Sequence, residues 1–371
     1  MNVELDGARA HRISKKIVDW FMANARDLPW RHTLDPYAIW ISEIMLQQTQ
    51  VKTVVPYWNR WMKRLPTVEK LAHARETTVL KLWEGLGYYS RVRNAQRAAR
   101  RVDVDLGGSF PNTRESISKL PGIGPYTSGA IASIAFNEPA PIVDGNVMRV
   151  LTRLFGMNGD PKESETNEKL WTIAKVLVDA ASSIRRFDPQ SNLSFSGPCS
   201  ALNQGLMELG ATICKPKQPA CKLCPMRGNC IAQRDGLTDQ IPDIAKRAAT
   251  TRRYFFAFVL RRGESVFVTQ RNPGNVNAGF WEFPNVEVRS LDLKSEKILK
   301  TELGIRVNEL QLLGDVRHSI TRYRIQQRVF AGDAIGKIRK EGVWCSLDEL
   351  TERPVVSAHR KLLGKLAANR G

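Results

Sequence analysis

The hydrophobic period of this chain changes once, and the change divides it. From His11 to about Ala232 apolar residues recur at three- and four-residue spacing, as at Val147, Val150, Leu151 and Leu154. That is the period of amphipathic helices. Beyond Thr251 the period moves toward two: Tyr254–Leu260 and Val266–Gln270 flank Arg262-Gly263-Glu264 and read as a β-hairpin. The stretch Arg234–Thr251 is polar and basic, contains Asp235-Gly236 and Ile241-Pro242, and reads as a linker. A helical pattern cannot be laid down as strands, nor the reverse. The expected organisation is an all-α domain over 1–233, a linker over 234–251, and a smaller α+β domain over 252–371. In the last of these, Ser290–Leu303 predicts a helix stopped by Gly304, and Arg324–Phe330 predicts a strand. The spacing Ser346-x-x-Glu349 predicts a capping box.

Charge bears on the partner. The chain carries 56 Lys+Arg against 37 Asp+Glu, a formal net charge of +19. Such an excess suits a polyanion, nucleic acid first and an anionic membrane surface second, or is simply a basic surface. No apolar run approaches the ~18 residues of a membrane span. Met1–Arg12 lacks the apolar core of a secretory signal, so an intracellular protein is expected.

Four of the six cysteines, Cys214, Cys221, Cys224 and Cys230, fall in a 17-residue window with the spacing C-x6-C-x2-C-x5-C. Four thiolates on one short loop can enclose a cubane iron–sulfur cluster or a tetrahedral zinc ion. The irregular spacing does not pair two knuckles as zinc ribbons do, which favours a 4Fe–4S cluster. Lys215, Lys217, Lys222 and Arg227 stud the loop and suit phosphate contacts, or plain solvation. Cys199 and Cys345 lie outside the spacing and are expected to be buried structural residues.

A second grip is Leu120-Pro121-Gly122-Ile123-Gly124-Pro125, between a helix that Asn112 and Glu115 would cap and a second helix over Tyr126–Phe136. Two glycines let backbone amides at a helix N-terminus approach an anion such as a phosphate. This is the helix–hairpin–helix pattern. Arg93, Arg97, Arg100 and Arg101 form a candidate stripe for a phosphate row.

Two carboxylates stand out. Glu43 lies in the apolar helical run Ile39–Leu46, where burial would raise its pKa and keep a proton available near neutrality; an exposed Glu on a polar face is the plainer reading. Asp144 precedes an amphipathic helix and could be an ordinary N-cap. It could also be an ionised carboxylate beside a developing cation. Two carboxylates in different environments suit glycosidic cleavage through an oxocarbenium ion.

Together these segments resemble the MutY-type adenine DNA glycosylases of the helix–hairpin–helix superfamily. The resemblance is carried by Leu28-Pro29-Trp30-Arg31, the run Ser42–Val51, Gly85-Leu86-Gly87-Tyr88-Tyr89, Leu120–Gly124, Val143–Val147 and the cysteine spacing, which is shared with endonuclease III. It implies that Glu43 protonates the adenine ring and that Asp144 stabilises the oxocarbenium sugar. It implies further that Asn146 orients the pair and Tyr126 hydrogen-bonds near the carboxylate. Gln48 and Tyr88 would wedge into the duplex where adenine leaves the stack. Leu86, Gly122, Gly124 and Arg31 would touch DNA, and the 4Fe–4S cluster would be structural.

Bifunctional relatives carry a catalytic Lys where this chain has Tyr126, which cannot form a Schiff base, so simple hydrolysis is expected. The C-terminal segments Gly279–Pro284 and Glu302–Ile305 look Nudix-like, but Ile298 and Thr301 stand where that pattern needs metal-binding Glu, so binding rather than hydrolysis is expected there. In the family this domain reads 8-oxoguanine with a Phe-Ser-His triplet. Here Ile320-Thr321-Arg322 replaces the triplet, leaving Ser319, Thr321 and Arg322 as the candidate recognition residues. Asp188–Pro198 reads as an insertion before Asn203-Gln204, and Gln204 as an active-site neighbour.

The expected protein is a monomeric, monofunctional adenine DNA glycosylase of base-excision repair, without membrane contact. Its partner would be double-stranded DNA with 8-oxoguanine:adenine or guanine:adenine mispairs. It would work in the cytoplasm, at the nucleoid of a bacterium, or otherwise inside the cell with DNA. The alternatives are a catalytically silent mismatch-binding protein and an endonuclease III-like glycosylase with lyase activity.

Overall fold

A computed structural model of the chain describes residues 5–188, 192–244, 249–320, 322–338 and 340–368. Two compact units emerge: Met1–Ala74 with Ser90–Lys246, and Arg75–Tyr89 with Arg247–Gly371. No helix among the described residues is long and apolar enough to cross a membrane.

The first unit is helical: α1 (Gly7–Asn24), α2 (Pro36–Leu46), α3 (Val51–Arg64) and α4 (Val68–His73) precede the excursion that carries α5 (Glu76–Trp83). After it come α6 (Ser90–Asp105), α7 (Arg114–Ser118), α8 (Pro125–Phe136), α9 (Gly145–Phe155), α10 (Ser164–Ser182), α11 (Pro198–Thr212) and α12 (Ile231–Arg234). Helices α2, α8 and α11 are buried along nearly their whole length: their sequences are mostly apolar or small, and the polar side chains they bury include Glu43 on α2 and Asn203, Gln204 and Glu208 on α11. Helix α1 buries one stripe, Ile13, Ile17 and Phe21, against α10 and α11. Each such side chain contributes about 1.5–3 kcal/mol by leaving water.

Helix α9 shows the predicted pattern, with Val147, Val150, Leu151 and Leu154 buried. It starts at Asp144 and ends at Gly156, which is left-handed at φ 61°. A Cβ on Gly156 would meet the Ile231 side chain at 2.4 Å, so glycine there admits the close approach of the segment behind the cysteine loop. The first hairpin helix starts one residue later than expected. Thr113, not Asn112, is the N-cap, and its capping-box partner is Ser116 rather than Glu115. The second hairpin helix begins at Pro125, whose fixed φ suits the first turn.

The second unit is α+β. Its strands are β1 (Thr251–Arg262), β2 (Ser265–Gln270), β3 (Trp281–Glu282), β4 (Asn285–Val288), β5 (Arg306–Val307), β6 (Gln311–Ile320), β7 (Tyr323–Ile335) and β8 (Val343–Ser346). The long parallel pair β1–β7 is central; β2 and β4 pair antiparallel with β1, and β6 with β7. The predicted hairpin is present, with Arg262 opposite Ser265 and Gly263 at φ 55°. Helix α13 (Ser295–Leu303) begins five residues later than Ser290, and Gly304 closes it in the left-handed conformation. The Ser346–Glu349 capping box opens α14 (Leu347–Glu352), and α15 (Ser357–Ala368) follows. Phe256, Phe258, Phe267 and Phe330 fill one side of the sheet, and Val259, Val268, Phe283 and Leu362 the other.

The sequence reading gives residues 75–89 to the helical domain, whereas in the structure they cluster with the second unit. The Tyr89 ring lies 4.1 Å from that of the fully buried Phe280.

Candidate active site and cysteine loop

Helix α2 delivers Glu43 into the interior, where it is 5% exposed. The Tyr126 hydroxyl, from α8, donates to Glu43 Oε2 at 2.6 Å and also approaches Met207 Sδ at 3.2 Å. Burial pushes the Glu43 carboxyl up to about 7; the Tyr126 hydrogen bond and Arg31 pull it down, and the charge of Asp144 adds to the rise. Burial and the neighbouring carboxylates hold Tyr126 well above the usual phenol value, so it stays a donor.

Asp144 is half-buried at the N-cap of α9. Its Oδ1 accepts from the amides of Asn146 (3.0 Å) and Val147 (2.7 Å), and its Oδ2 from Asn146 Nδ2 (3.0 Å). Burial raises its pKa and these hydrogen bonds oppose the rise. The plain N-cap reading and the site reading therefore describe the same carboxylate. Glu43 and Asp144 stand within electrostatic reach of each other in unlike surroundings. One is poised to hold a proton at neutrality; the other is wrapped in donors that favour the anion.

Arg149 was not singled out from the sequence. Its guanidinium donates to Asn146 Oδ1 (2.9 Å) and to the carbonyls of Cys214 (2.7 Å), Gly210 (2.9 Å) and Gly145 (3.2 Å). A continuous chain of hydrogen bonds thus runs from the cysteine loop through Arg149 and Asn146 to Asp144. Arg153, buried, donates to the Lys215 carbonyl (2.7 Å) and Cys214 Sγ (3.4 Å).

Arg31 departs from expectation. It is 7% exposed, buried rather than on the surface where a DNA contact would stand. Its donors go to Glu208 (2.9 Å), Gln204 (3.3 Å) and the Arg26 carbonyl (3.0 Å). Arg26 makes a second, bidentate pair with Glu208 at 2.6 and 2.8 Å. Burial would raise the Glu208 pKa, but the two guanidinium groups outweigh it and hold the carboxyl at about 2. The second half of the insertion has a place here. The Ser194 amide donates to the Arg31 carbonyl at 2.7 Å, and the Phe195 ring lies edge-on to Phe21 at 5.7 Å.

Gln48 is exposed just past α2 and sits in the left-handed region at φ 58°. Arg91 clamps that turn by donating to the carbonyls of Ile44 and Gln47 at 2.6 and 2.7 Å. Gly122 is left-handed at φ 75°, and a Cβ there would strike the Asn94 side chain at 2.4 Å, while Gly124 faces open space. The arginine stripe is only partly available. Arg100 donates to the Ala72 carbonyl, and Arg101 to the Lys119 carbonyl and to Asp105. In the second unit Tyr88 is 49% exposed at φ 47°, whereas Leu86 is buried at 6% and is not a surface contact. Ser319 and Arg322 are exposed at the β6–β7 turn, with the Arg322 guanidinium over the Tyr323 ring at 5.3 Å. Thr321 lies outside the described residues.

Cys214, Cys221, Cys224 and Cys230 lie on one loop within electrostatic reach of one another. Burial pushes the Cys224 thiol up to about 11 against the Met226 amide, which donates to its Sγ at 3.4 Å. Among the described residues no three His, Cys, Asp or Glu gather as a single-ion site. Four thiols on one loop, with N–H donors on the sulfurs of Cys214 and Cys224, are a donor set that fits an iron–sulfur cluster. The four basic residues of the loop are exposed.

Residues 41–175 match the HhH-GPD superfamily base excision DNA repair protein family, and residues 256–365 match the NUDIX domain. The chain is 34% identical to the adenine DNA glycosylase of Rattus norvegicus, covering 94% of this chain and 76% of that one. It is 32% identical to the Homo sapiens adenine DNA glycosylase, covering 96% and 74%. It is also 34% identical to the protein of that name from Buchnera aphidicola subsp. Acyrthosiphon pisum, covering 77% and 78%. The solved structure of a thermostable thymine-DNA glycosylase superposes with a TM-score of 0.52 at 30% identity, covering 62% of this chain and 98% of that one. With its helical unit, its Nudix-like unit and relatives of one activity along almost its whole length, the chain belongs to the adenine DNA glycosylase family of base-excision repair enzymes.

Proposed function

We propose that this glycosylase removes adenine paired with 8-oxoguanine or guanine in duplex DNA, by hydrolysis alone. The observation that carries the reading is the buried Glu43 carboxyl, raised to about 7 and bonded to a hydroxyl that cannot act as a nucleophilic amine. Glu43 donates its proton to a ring nitrogen of the extruded adenine, so the base departs neutral as the N-glycosidic bond breaks. Asp144, oriented by Asn146, faces the positive sugar; water adds at the anomeric carbon and loses its proton, leaving an abasic site. Without a Lys at the position of Tyr126, no imine with the sugar forms and the strand stays intact.

Gln48 of the first unit and Tyr88 of the second each wedge into the duplex where the base leaves the stack. The amides around Gly122 and Gly124 grip the backbone. Ser319, Thr321 and Arg322 read the opposite base. Cys214, Cys221, Cys224 and Cys230 hold a 4Fe–4S cluster, which, when bound, braces the basic loop through four iron–thiolate bonds. In this reading a helical glycosylase domain spans 1–233, a linker 234–251 and the Nudix-like reader 252–371, with residues 75–89 grouped with the reader.

The experiment is single-turnover excision from duplexes with adenine opposite 8-oxoguanine, guanine, cytosine and thymine, with borohydride present in a parallel set. The expected result is release opposite the first two and no trapped adduct. Efficient trapping would refute the hydrolytic mechanism, and equal rates on all four duplexes would refute the mispair assignment. Stoichiometric zinc in colourless protein would refute the cluster.

A further inference from the structure

The segment that bears Tyr88 is bolted to the Nudix-like unit by charge. Arg360 of α15 grips Glu84 with a two-pronged hydrogen bond, Nε to Oε1 and Nη2 to Oε2, the latter at 2.9 Å. The same guanidinium donates to the carbonyls of Thr351 (3.0 Å) and Arg353 (2.7 Å), which fixes its fork. The Lys81 ammonium, one turn earlier on α5, donates to the same two carbonyls. Glu84 and Arg360 are 10% and 28% exposed, so solvent screens the pair little. Tyr89, just beyond Tyr88, rests on Phe280. Between these two anchors Tyr88 stands half-exposed in a left-handed conformation, which a bulky residue keeps only when its surroundings hold it.

We propose that the Glu84–Arg360 ion pair positions the wedge residue Tyr88, so that the unit that reads the opposite base also carries the wedge that opens the duplex. This rests on the reading of Tyr88 given above. Glu84 and Arg360 are positioning residues, and their effect passes through Tyr88. A planar guanidinium on a carboxylate specifies direction as well as attraction, which suits holding a turn at one angle.

The test is a double-mutant cycle on the full chain. Base extrusion is followed by stopped-flow fluorescence of 2-aminopurine beside the target adenine, and excision under single turnover. Glu84→Gln should slow extrusion about tenfold, the loss of one charge-assisted hydrogen bond. In a Tyr88→Ala background the same substitution should have no further effect. Multiplied losses in the double variant would overturn the inference while leaving the wedge role intact. An unchanged extrusion rate in Tyr88→Ala would overturn the wedge role and the inference with it. Arg360→Lys, which keeps the charge and loses the fork, provides the same cycle should Glu84→Gln unfold.

Discussion

Replacing Glu43 with glutamine should stabilise the helical unit above neutral pH while removing excision. In the folded chain the carboxyl sits at about 7, against an ordinary 4.5, chiefly because burial disfavours its charged form. An acid raised on folding contributes stability that is complete below the unfolded value and is lost as pH rises through the folded one. The distance between the two values corresponds to about 3 kcal/mol lost to the wild type by about pH 8.5. Glutamine remains neutral throughout and still offers Tyr126 an acceptor oxygen. The variant should therefore match the wild type near about pH 4.5 and exceed it by up to about 3 kcal/mol near about pH 8.5. For a unit of this size that is roughly 6–12 °C in the melting temperature. The assay is thermal or urea unfolding of the α-helical circular-dichroism signal at the two pH values, beside single-turnover excision, which should fall about 10²–10⁴-fold. A variant no more stable than the wild type at the higher pH would refute the buried, proton-holding carboxyl.

The excision rate should fall about tenfold per pH unit above about 7 as Glu43 deprotonates, and Tyr126→Phe should move that limb upward by about one pH unit, because the lost hydrogen bond favours the carboxylate. A pH–rate profile of both proteins checks this, and a downward move would contradict it. Arg149→Lys, which cannot span Asn146 and three carbonyls, should slow excision about tenfold with the fold retained; single-turnover rates and circular dichroism decide. In the second unit His359 is buried neutral, accepting from the Phe283 amide at 3.0 Å and facing Gln327. Burial, then the charges of Arg271 and His318, lower its pKa to about 3. Stability from that unit should thus be full above about 6.5 and drain by up to about 5 kcal/mol as pH falls toward about 3. His359→Gln should flatten the acid limb in denaturant titrations.

The parts readable from local pattern are those whose physics is local. The period change separates helices from strands because side chains recur on one face at different intervals in each. Gly304 and the Ser346–Glu349 box end and begin helices through contacts within one turn. The cysteine spacing is legible because Cys214, Cys221, Cys224 and Cys230 all lie on one loop. The resemblance to the glycosylase family supplied roles for Glu43 and Asp144 that periodicity could not.

Other features depend on residues far apart in the chain. Whether Glu43 lies on a wet or a dry face is decided where α2 meets α8, which brings Tyr126 from 83 residues away. The resemblance makes Arg31 a DNA contact, and nothing in the local sequence marks its partner. Its partner is Glu208, 177 residues downstream. Arg149 sits in an amphipathic helix as any solvated arginine would, and the approach of α11 and the cysteine loop adds the Gly210 and Cys214 carbonyls to its local acceptors. Residues 75–89 follow the helical period of their neighbours, yet a buried ring contact and the Arg360 fork tie them to the other unit. Periodicity and spacing thus determined the two architectures, the cysteine loop and the helix ends at Gly304 and Ser346. The charge pairing, the protonation of the buried acid and the unit to which Tyr88 belongs were decided in three dimensions, since each depends on desolvation and on partners that the chain brings together only when it closes.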